Sequence, residues 1–330
     1  MHIIVTGGLG FIGSNFVRFV LNEIPDIFIT NIDAETYAGR KDNLVDIEKE
    51  KNKNYQYFKG KIQDHEFIEN VIKTYKPDTI INFAAETHVD RSITSAQPFI
   101  ETNIIGTHVL LETALKQKVK KYIQISTDEV YGSIDPPAKF TETSLIKPNS
   151  PYSASKAGAD HLVRAYNKTY GLNTIIIRCS NNFGPHQFPE KVIPYFISLA
   201  LNNKPVPVYG DGLNVRDWIY VLDFCSAISM VLQKGKPGEV YNVGGDCEMT
   251  NLDLTKTILK KLGKSETLLK FVEDRPGHDR RYAIDCTKIK NDLGWKKKYN
   301  FEEALDITIN WYKNNKEWIE RRTKQTAFNK

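Results

Sequence analysis

Cysteine is scarce in this 330-residue chain, and the four that occur, Cys179, Cys225, Cys247 and Cys286, lie far apart without a C-x-x-C pair or a histidine at ligand spacing. That excludes a disulfide framework and a zinc ribbon, calls for no metal, and fits reduced thiols in a cytoplasmic protein. No apolar run approaches the ~18 residues of a membrane span, so no membrane association is expected. Met1-His2 leads straight into Ile3-Ile4-Val5, without the charged and apolar regions of a secretory signal. No basic stripe with interleaved aromatics appears, which argues against nucleic acid. Lys118, Lys120 and Lys121, and later Lys296 to Lys298, read as solvated faces. Repeats and low-complexity linkers are also missing. What remains is an ordinary globular composition, 41% hydrophobic and 26% charged, mildly basic at +5 and so suited to anionic ligands.

The chain opens with the apolar strand Ile3-Ile4-Val5, then Thr6-Gly7-Gly8-Leu9-Gly10-Phe11-Ile12-Gly13, then a helical pattern through Phe16, Val17, Phe19 and Val20. Glycines at 7, 10 and 13 suit a tight turn, close approach of backbone to a pyrophosphate, and close packing of helix on strand. Asp33 ends a second strand twenty residues beyond Gly13, where a carboxylate accepts from ribose hydroxyls and repels the extra phosphate of NADP. The combination predicts an NAD site.

Strands then alternate with helices. A strand at 55–58 precedes a helix capped by Asp64, and Pro77 separates that helix from a buried strand at 79–83. The small residues Ala84-Ala85 follow, then the polar run from Glu86 to Ser92. A helix from about 99 to 116 leads to a strand at 122–125 and to Ser126-Thr127-Asp128-Glu129-Val130-Tyr131-Gly132. Adjacent carboxylates reach one pocket only if that strand ends at about Thr127, because neighbouring strand residues face opposite ways.

A 20-residue loop rich in proline then leads to Tyr152-Ser153-Ala154-Ser155-Lys156, which opens a helix ending at Gly171. Residues four apart share a helix face, and an ammonium there favours a phenolate able to act as a base. The uniformly apolar strand 174–178 completes a parallel set, and beyond it the alternation breaks down. The expected fold is α/β, a Rossmann-type doubly wound parallel sheet with a smaller C-terminal α/β substrate-binding lobe. Residues 1–180, rejoined by about 218–242, form the NAD-binding part and 181–330 the remainder. Helices are expected at 222–233, 252–262 and 301–314, and fraying at 321–330.

With Gly7-Gly8-x-Gly10-Phe11-Ile12-Gly13, Tyr152-x-x-x-Lys156 and Ser126-Thr127 at a strand end, the chain resembles the extended short-chain dehydrogenase/reductase family of nucleotide-sugar enzymes. Thr127-Asp128-Glu129 is similar to its 4,6-dehydratase branch, since sugar 4-epimerases of the family generally carry small or hydroxyl residues at 128 and 129. The similarity runs on through Ala85 to Ser92, Asn181-Asn182, Gln187 to Lys191, Gly210 to Trp218 and Arg275 to Tyr282, essentially the whole chain.

The resemblance implies NAD contacts from Gly7, Gly10, Phe11, Ile12, Gly13, Asp33, Thr36, Ile62, Ala84, Ala85, Thr102, Tyr152, Lys156 and Asn182. It implies catalysis by Thr127, Asp128, Glu129, Tyr152 and Lys156. It implies a nucleotide-sugar substrate, dTDP-glucose, contacted by His88, Thr127, Asn181, Glu190, Lys191, Arg216, Asn251, Arg275 and His278. A homodimer built on the helices after 99 and after 152 is implied as well. Two departures stand out. Lys61 replaces an aspartate that touches adenine, leaving the backbone or Asp64 to substitute, and Ala34-Glu35 differs at positions expected to face solvent. The alternatives are a 4-epimerase, a dehydratase of UDP- or CDP-glucose, and a non-catalytic NAD-binding protein.

Overall fold

The short apolar runs of the first half stack side by side because both faces of each strand are hydrophobic and both must be covered. The computed structural model describes residues 1–50, 52–274 and 277–328. In these the strands are β1 (His2–Thr6), β2 (Phe28–Asp33), β3 (Tyr55–Lys59), β4 (Thr79–Asn82), β5 (Lys121–Thr127), β6 (Thr174–Cys179), β7 (Asn181–Phe183), β8 (Val206–Tyr209), β9 (Val215–Tyr220), β10 (Val240–Val243), β11 (Glu248–Thr250) and β12 (Leu269–Val272). Seven form one parallel sheet in the order β10-β6-β5-β4-β1-β2-β3. Strand order reverses between β1 and β4, the switch point where such sheets bind ligands beyond their carboxyl ends.

Alternation assigns the core to two faces. Ile3, Val5, Ile81, Ile123, Ile125, Ile175 and Ile177 pack in one cluster, whereas Ile4, Ile80, Tyr122 and Ile176 pack in the other. Each fully buried side chain of this kind contributes about 1.5–3 kcal/mol. The first cluster runs on into the second half through Phe183, Trp218, Leu254, Trp295 and Tyr312, so both parts share one core. A buried polar ladder crosses the sheet near its carboxyl edge. Thr6 Oγ1 donates to Asn82 Oδ1 at 2.6 Å, Asn82 Nδ2 donates to Gln124 Oε1 at 3.1 Å, and Tyr122 donates to the same Gln124 oxygen at 2.8 Å.

The smaller lobe holds a mixed three-stranded sheet, β11-β9-β7, and the parallel pair β12-β8. The expected helices are present as Val221–Lys234, Asn251–Lys261 and Phe301–Asn314. The helix expected from about 99 contains a π-helical stretch, Ile100–Gly106, before the regular Thr107–Lys116. Of the stretch expected to fray, residues 321–328 are helical, and 329–330 lie outside the described residues. A helix spans Lys316–Phe328, and Arg322 pairs with Asp42, burying a charge that the basic composition alone suggested was solvated. Among the described residues no helix is long and apolar enough to cross a membrane.

Candidate active site

The turn after β1 is built from backbone. Gly7 sits at φ +72°, and a Cβ there would come within 2.6 Å of the Ala84 nitrogen; one on Gly13 would meet the Gly7 carbonyl at 2.4 Å. Helix Phe11–Glu23 starts at Gly10 with no side-chain cap, so its first-turn N–H groups remain available at the positive end of the helix dipole. Asp33, at the end of β2, accepts the Leu9 N–H at 2.9 Å and the Glu35 N–H at 2.8 Å. Burial raises its pKa, and these two N–H bonds oppose the rise. Uncapped N–H groups, close backbone approach and an oriented carboxylate together fit a dinucleotide.

Other cofactor positions surround the turn. Ala84 and Ala85 leave β4 beside Gly7, and Ile62 is buried against Gly106. Thr102 accepts from Gln63 Nε2 at 3.0 Å, and Thr36 is exposed. Lys61 is exposed, and Asp64 Oδ1 accepts the Phe67 N–H at 3.0 Å as a helix cap, so that oxygen is already engaged. Glu35, expected to face solvent, is largely covered and accepts from the Tyr57 hydroxyl at 2.6 Å, a long-range contact that local polarity does not reveal.

β5 ends at Thr127, as the paired carboxylates required, and a 3₁₀ turn carries Asp128–Tyr131. Thr127 Oγ1 donates to Asp128 Oδ1 at 3.3 Å and accepts the Glu129 N–H at 3.3 Å. Asp128 is 2% exposed, and its Oδ2 has no hydrogen-bond partner among the described residues. Burial first, then the neighbouring Glu129 and Asp217, pushes its pKa well above the ordinary carboxylate value, which favours the protonated acid.

Helix Pro151–Tyr170 begins with a Ser150–Ser153 capping box and stops at Gly171, placing Tyr152 and Lys156 on one face. Both are buried. The Thr127 hydroxyl lies near the Tyr152 phenol and acts to lower its pKa. The expected effect of the ammonium is not the dominant one. Lys156 Nζ donates to the Ile125 carbonyl at 2.7 Å, while burial, then Glu129 and Cys179, raises the Tyr152 pKa. Burial lowers the Lys156 pKa, and Asp160 opposes that.

The substrate positions fall into two groups. His88 Nε2 lies 3.5 Å from Glu190 Oε2, and Arg91 Nη2 reaches the same oxygen at 3.5 Å. Lys191 Nζ donates to the Thr87 carbonyl at 2.9 Å. Asn181 and Asn182 each bury an Oδ1 without a partner among the described residues. In the smaller lobe, Arg216 Nη2 donates to the Asp279 carbonyl at 2.9 Å with its guanidinium 4.2 Å over Tyr282. Asn251 opens helix Asn251–Lys261, and His278 Nδ1 lies 2.6 Å from Asp274 Oδ1. Arg275 lies outside the described residues.

Sequence reading missed several supporting residues. Asn103 accepts the Glu86 N–H at 2.9 Å, donates to the Glu86 carbonyl at 3.1 Å, and donates to Ser155 at 2.8 Å, tying the β4 exit loop to the helix of Tyr152. Arg178 donates to Asp160 at 2.9 Å and to the Tyr131 hydroxyl at 2.8 Å. A charge inside the apolar strand 174–178 was the one available signal.

A family model described as GDP-mannose 4,6 dehydratase matches residues 4–308. The low-salt glycan biosynthesis protein Agl12 of Haloferax volcanii is 51% identical over 312 residues, 94% of this chain and 98% of its own length. The crystal structure of dTDP-glucose 4,6-dehydratase from Bacillus anthracis in complex with NAD superposes with a TM-score of 0.92 at 49% identity, covering 98% of this chain and 99% of that one. DesIV, the dTDP-glucose 4,6-dehydratase of Streptomyces venezuelae, solved with NAD and a dTDP ligand, gives 0.94 at 44% identity over 98% of this chain and all of that one. A likeness that is nearly full-length in every comparison, with the glycine turn and the acidic pair at carboxyl ends of one parallel sheet and Tyr152 near Thr127, has one consequence: the chain belongs to the NAD-dependent epimerase/dehydratase family of extended short-chain dehydrogenase/reductases, in its dTDP-glucose 4,6-dehydratase branch.

Proposed function

We infer that this protein dehydrates dTDP-glucose to dTDP-4-keto-6-deoxyglucose. The observation that carries the reading is Asp128, 2% exposed beside Glu129, where burial and that neighbouring charge favour its protonated form, at the strand end that also faces Tyr152. Tyr152 takes the proton of the sugar 4-hydroxyl, and Thr127 hydrogen-bonds that oxygen. NAD, held by the glycine turn and Asp33, accepts the hydride from C4 and returns it to C6, so it is regenerated in each turnover. A ketone at C4 acidifies the C5 hydrogen, which Glu129 removes as base. Asp128 protonates the departing C6 hydroxyl, which leaves as water, and a proton then returns to C5. An acid and a base one residue apart require separated pKa values, and burial of Asp128 supplies the separation.

Asn181, Asn182, His88, Glu190 and Lys191 lie toward the sugar in this reading, and Arg216, Asn251, Arg275 and His278 toward the nucleotide diphosphate. The chain pairs as a cytoplasmic homodimer through the helices around 97–116 and 151–170. Exposed Ile93, Ile100 and Ile105, 44–48% accessible, support that face. The test is incubation of the purified protein with dTDP-, UDP- and CDP-glucose without added cofactor. The expected result is the alkali-absorbing 4-keto-6-deoxy product from dTDP-glucose; no product from any of the three overturns the assignment.

A further inference from the structure

The C-terminal helix takes no part in this chemistry, yet a short chain of hydrogen bonds joins it to the dinucleotide turn. Trp318, which is buried, donates its Nε1–H to Asn43 Oδ1 at 3.0 Å, and Arg322 Nη2 donates to the same oxygen at 3.2 Å. Asn43 is 1% exposed, and its Nδ2 donates to the Leu9 carbonyl at 2.8 Å. That carbonyl also receives the Arg40 N–H at 3.2 Å, while the Leu9 N–H goes to Asp33 Oδ2 at 2.9 Å. Residue 9 lies between Gly8 and Gly10, in the stretch of backbone with the greatest freedom to move.

Two donors on Oδ1 settle which end of the Asn43 amide faces the turn, because only the NH₂ end can donate to a carbonyl. The Leu9 residue is then fixed at both of its polar atoms, by Asn43 and Arg40 on its oxygen and by Asp33 on its nitrogen. Rotating that residue would tilt the neighbouring peptide N–H groups away from a pyrophosphate. The main-chain carbonyl of Asn43 takes Arg18 Nη2, from the helix that begins at the turn. Asp42 takes Arg322 on Oδ1 and Arg321 Nη2 on Oδ2 at 3.6 Å, so the C-terminal helix grips this segment at adjacent residues.

We propose that Asn43, oriented by Trp318 and Arg322, is a positioning residue for NAD, and that the C-terminal helix is a working part of the dinucleotide site. The inference rests on the cofactor reading above. It is tested on the full chain stripped of cofactor, by equilibrium dialysis against NAD with thermal denaturation run in parallel. Asn43→Asp keeps an acceptor for Trp318 and Arg322 but places an oxygen against the Leu9 carbonyl; the expected loss of NAD affinity is about tenfold, one hydrogen bond's worth. Trp318→Phe keeps the ring and removes the N–H, with an expected loss of several-fold. Trp311→Phe alters a ring 5.1 Å from Trp318 in the same aromatic cluster, with no bond to Asn43, and is expected to retain wild-type affinity whatever its melting temperature. Unchanged NAD affinity in Asn43→Asp and Trp318→Phe overturns the proposal, as does a loss that merely follows the melting temperature and recurs in Trp311→Phe. Should Asn43→Asp fail to fold, Trp318→Phe against Trp311→Phe decides alone. Wild-type protein that binds no NAD overturns the cofactor reading and this inference together.

Discussion

Thr127 Oγ1 stands 3.3 Å from Asp128 Oδ1, and the other oxygen of that carboxyl group is buried without a partner among the described residues. One oxygen is steadied by the strand end and the other is buried, an environment that favours a neutral carboxylic acid able to donate. Asp128→Asn retains shape and hydrogen-bond capacity but has no proton to release. Turnover should fall by about 10²–10⁴, while oxidation at C4 survives. Stopped-flow absorbance at the reduced-cofactor band should therefore rise on mixing with dTDP-glucose and persist without 4-keto-6-deoxy product.

Asp128 also makes stability depend on pH. Its folded-state pKa lies well above the ordinary 3.8, so above pH 3.8 the unfolded chain releases this proton while the folded chain keeps it. The unfolded state is thereby favoured as pH rises from the unfolded toward the folded value. Asp128→Asn should raise the melting temperature at pH 7 and change it less at pH 4. An equal shift at both would show that desolvation of this carboxyl does not set the trend.

Glu129 raises the Tyr152 pKa through its charge, second only to burial. Glu129→Gln removes that charge, so the phenol should ionise at lower pH. In a single-turnover oxidation measured across pH, the acidic limb should move down relative to wild type, even though the elimination is lost. A limb that stays in place would mean that another group controls it.

Glycine substitutions separate close approach from backbone conformation. Gly13→Ala drives a methyl into the Gly7 carbonyl at 2.4 Å, which must displace the turn and lower NAD retention. Gly263 has φ +65° and no atom near its absent Cβ, so Gly263→Ala pays only the left-handed penalty of about 1–2 kcal/mol. NAD content and denaturant midpoints should move independently in the two variants.

Arg178 and Asp160 form an ion pair whose side chains are 7% and 2% exposed. Arg178→Met would leave the Asp160 carboxylate buried and unpaired, at a cost of about 3–5 kcal/mol. Urea titration should show a lowered midpoint, and Asp160→Asn combined with Arg178→Met should recover part of the loss.

Local pattern revealed the parts of the site that are local. The glycine turn needs three glycines within seven residues, Asp33 ends a strand at a fixed distance beyond them, and Tyr152 with Lys156 follows from helix spacing. Asp128 and Glu129 were legible because two carboxylates at a strand end require the strand to stop. The residues that escaped act across long separations. Trp318 and Asn43 are 275 positions apart, and nothing in either neighbourhood names the other. Spacing also placed the ammonium on the face of Tyr152 but not what it bonds: the Ile125 carbonyl comes from another element. The π-helical stretch Ile100–Gly106 has no compositional mark, since its Asn103 finds its partners in the loop after β4 and on the helix of Tyr152, which only the fold brings together.

The outermost strand of the large sheet, β10, pairs with β6, although β7, β8 and β9 intervene in the chain. The helix Val221–Lys234, which packs against Phe11–Glu23, comes from the same returning stretch. A fragment ending at residue 180 would thus expose both a bare parallel edge and the apolar side of its first helix, and should aggregate. Exchanging the sugar-binding part between relatives accordingly needs at least two splice junctions, one on each side of that returning stretch, because a single fusion point strands part of one lobe in the other donor's sequence.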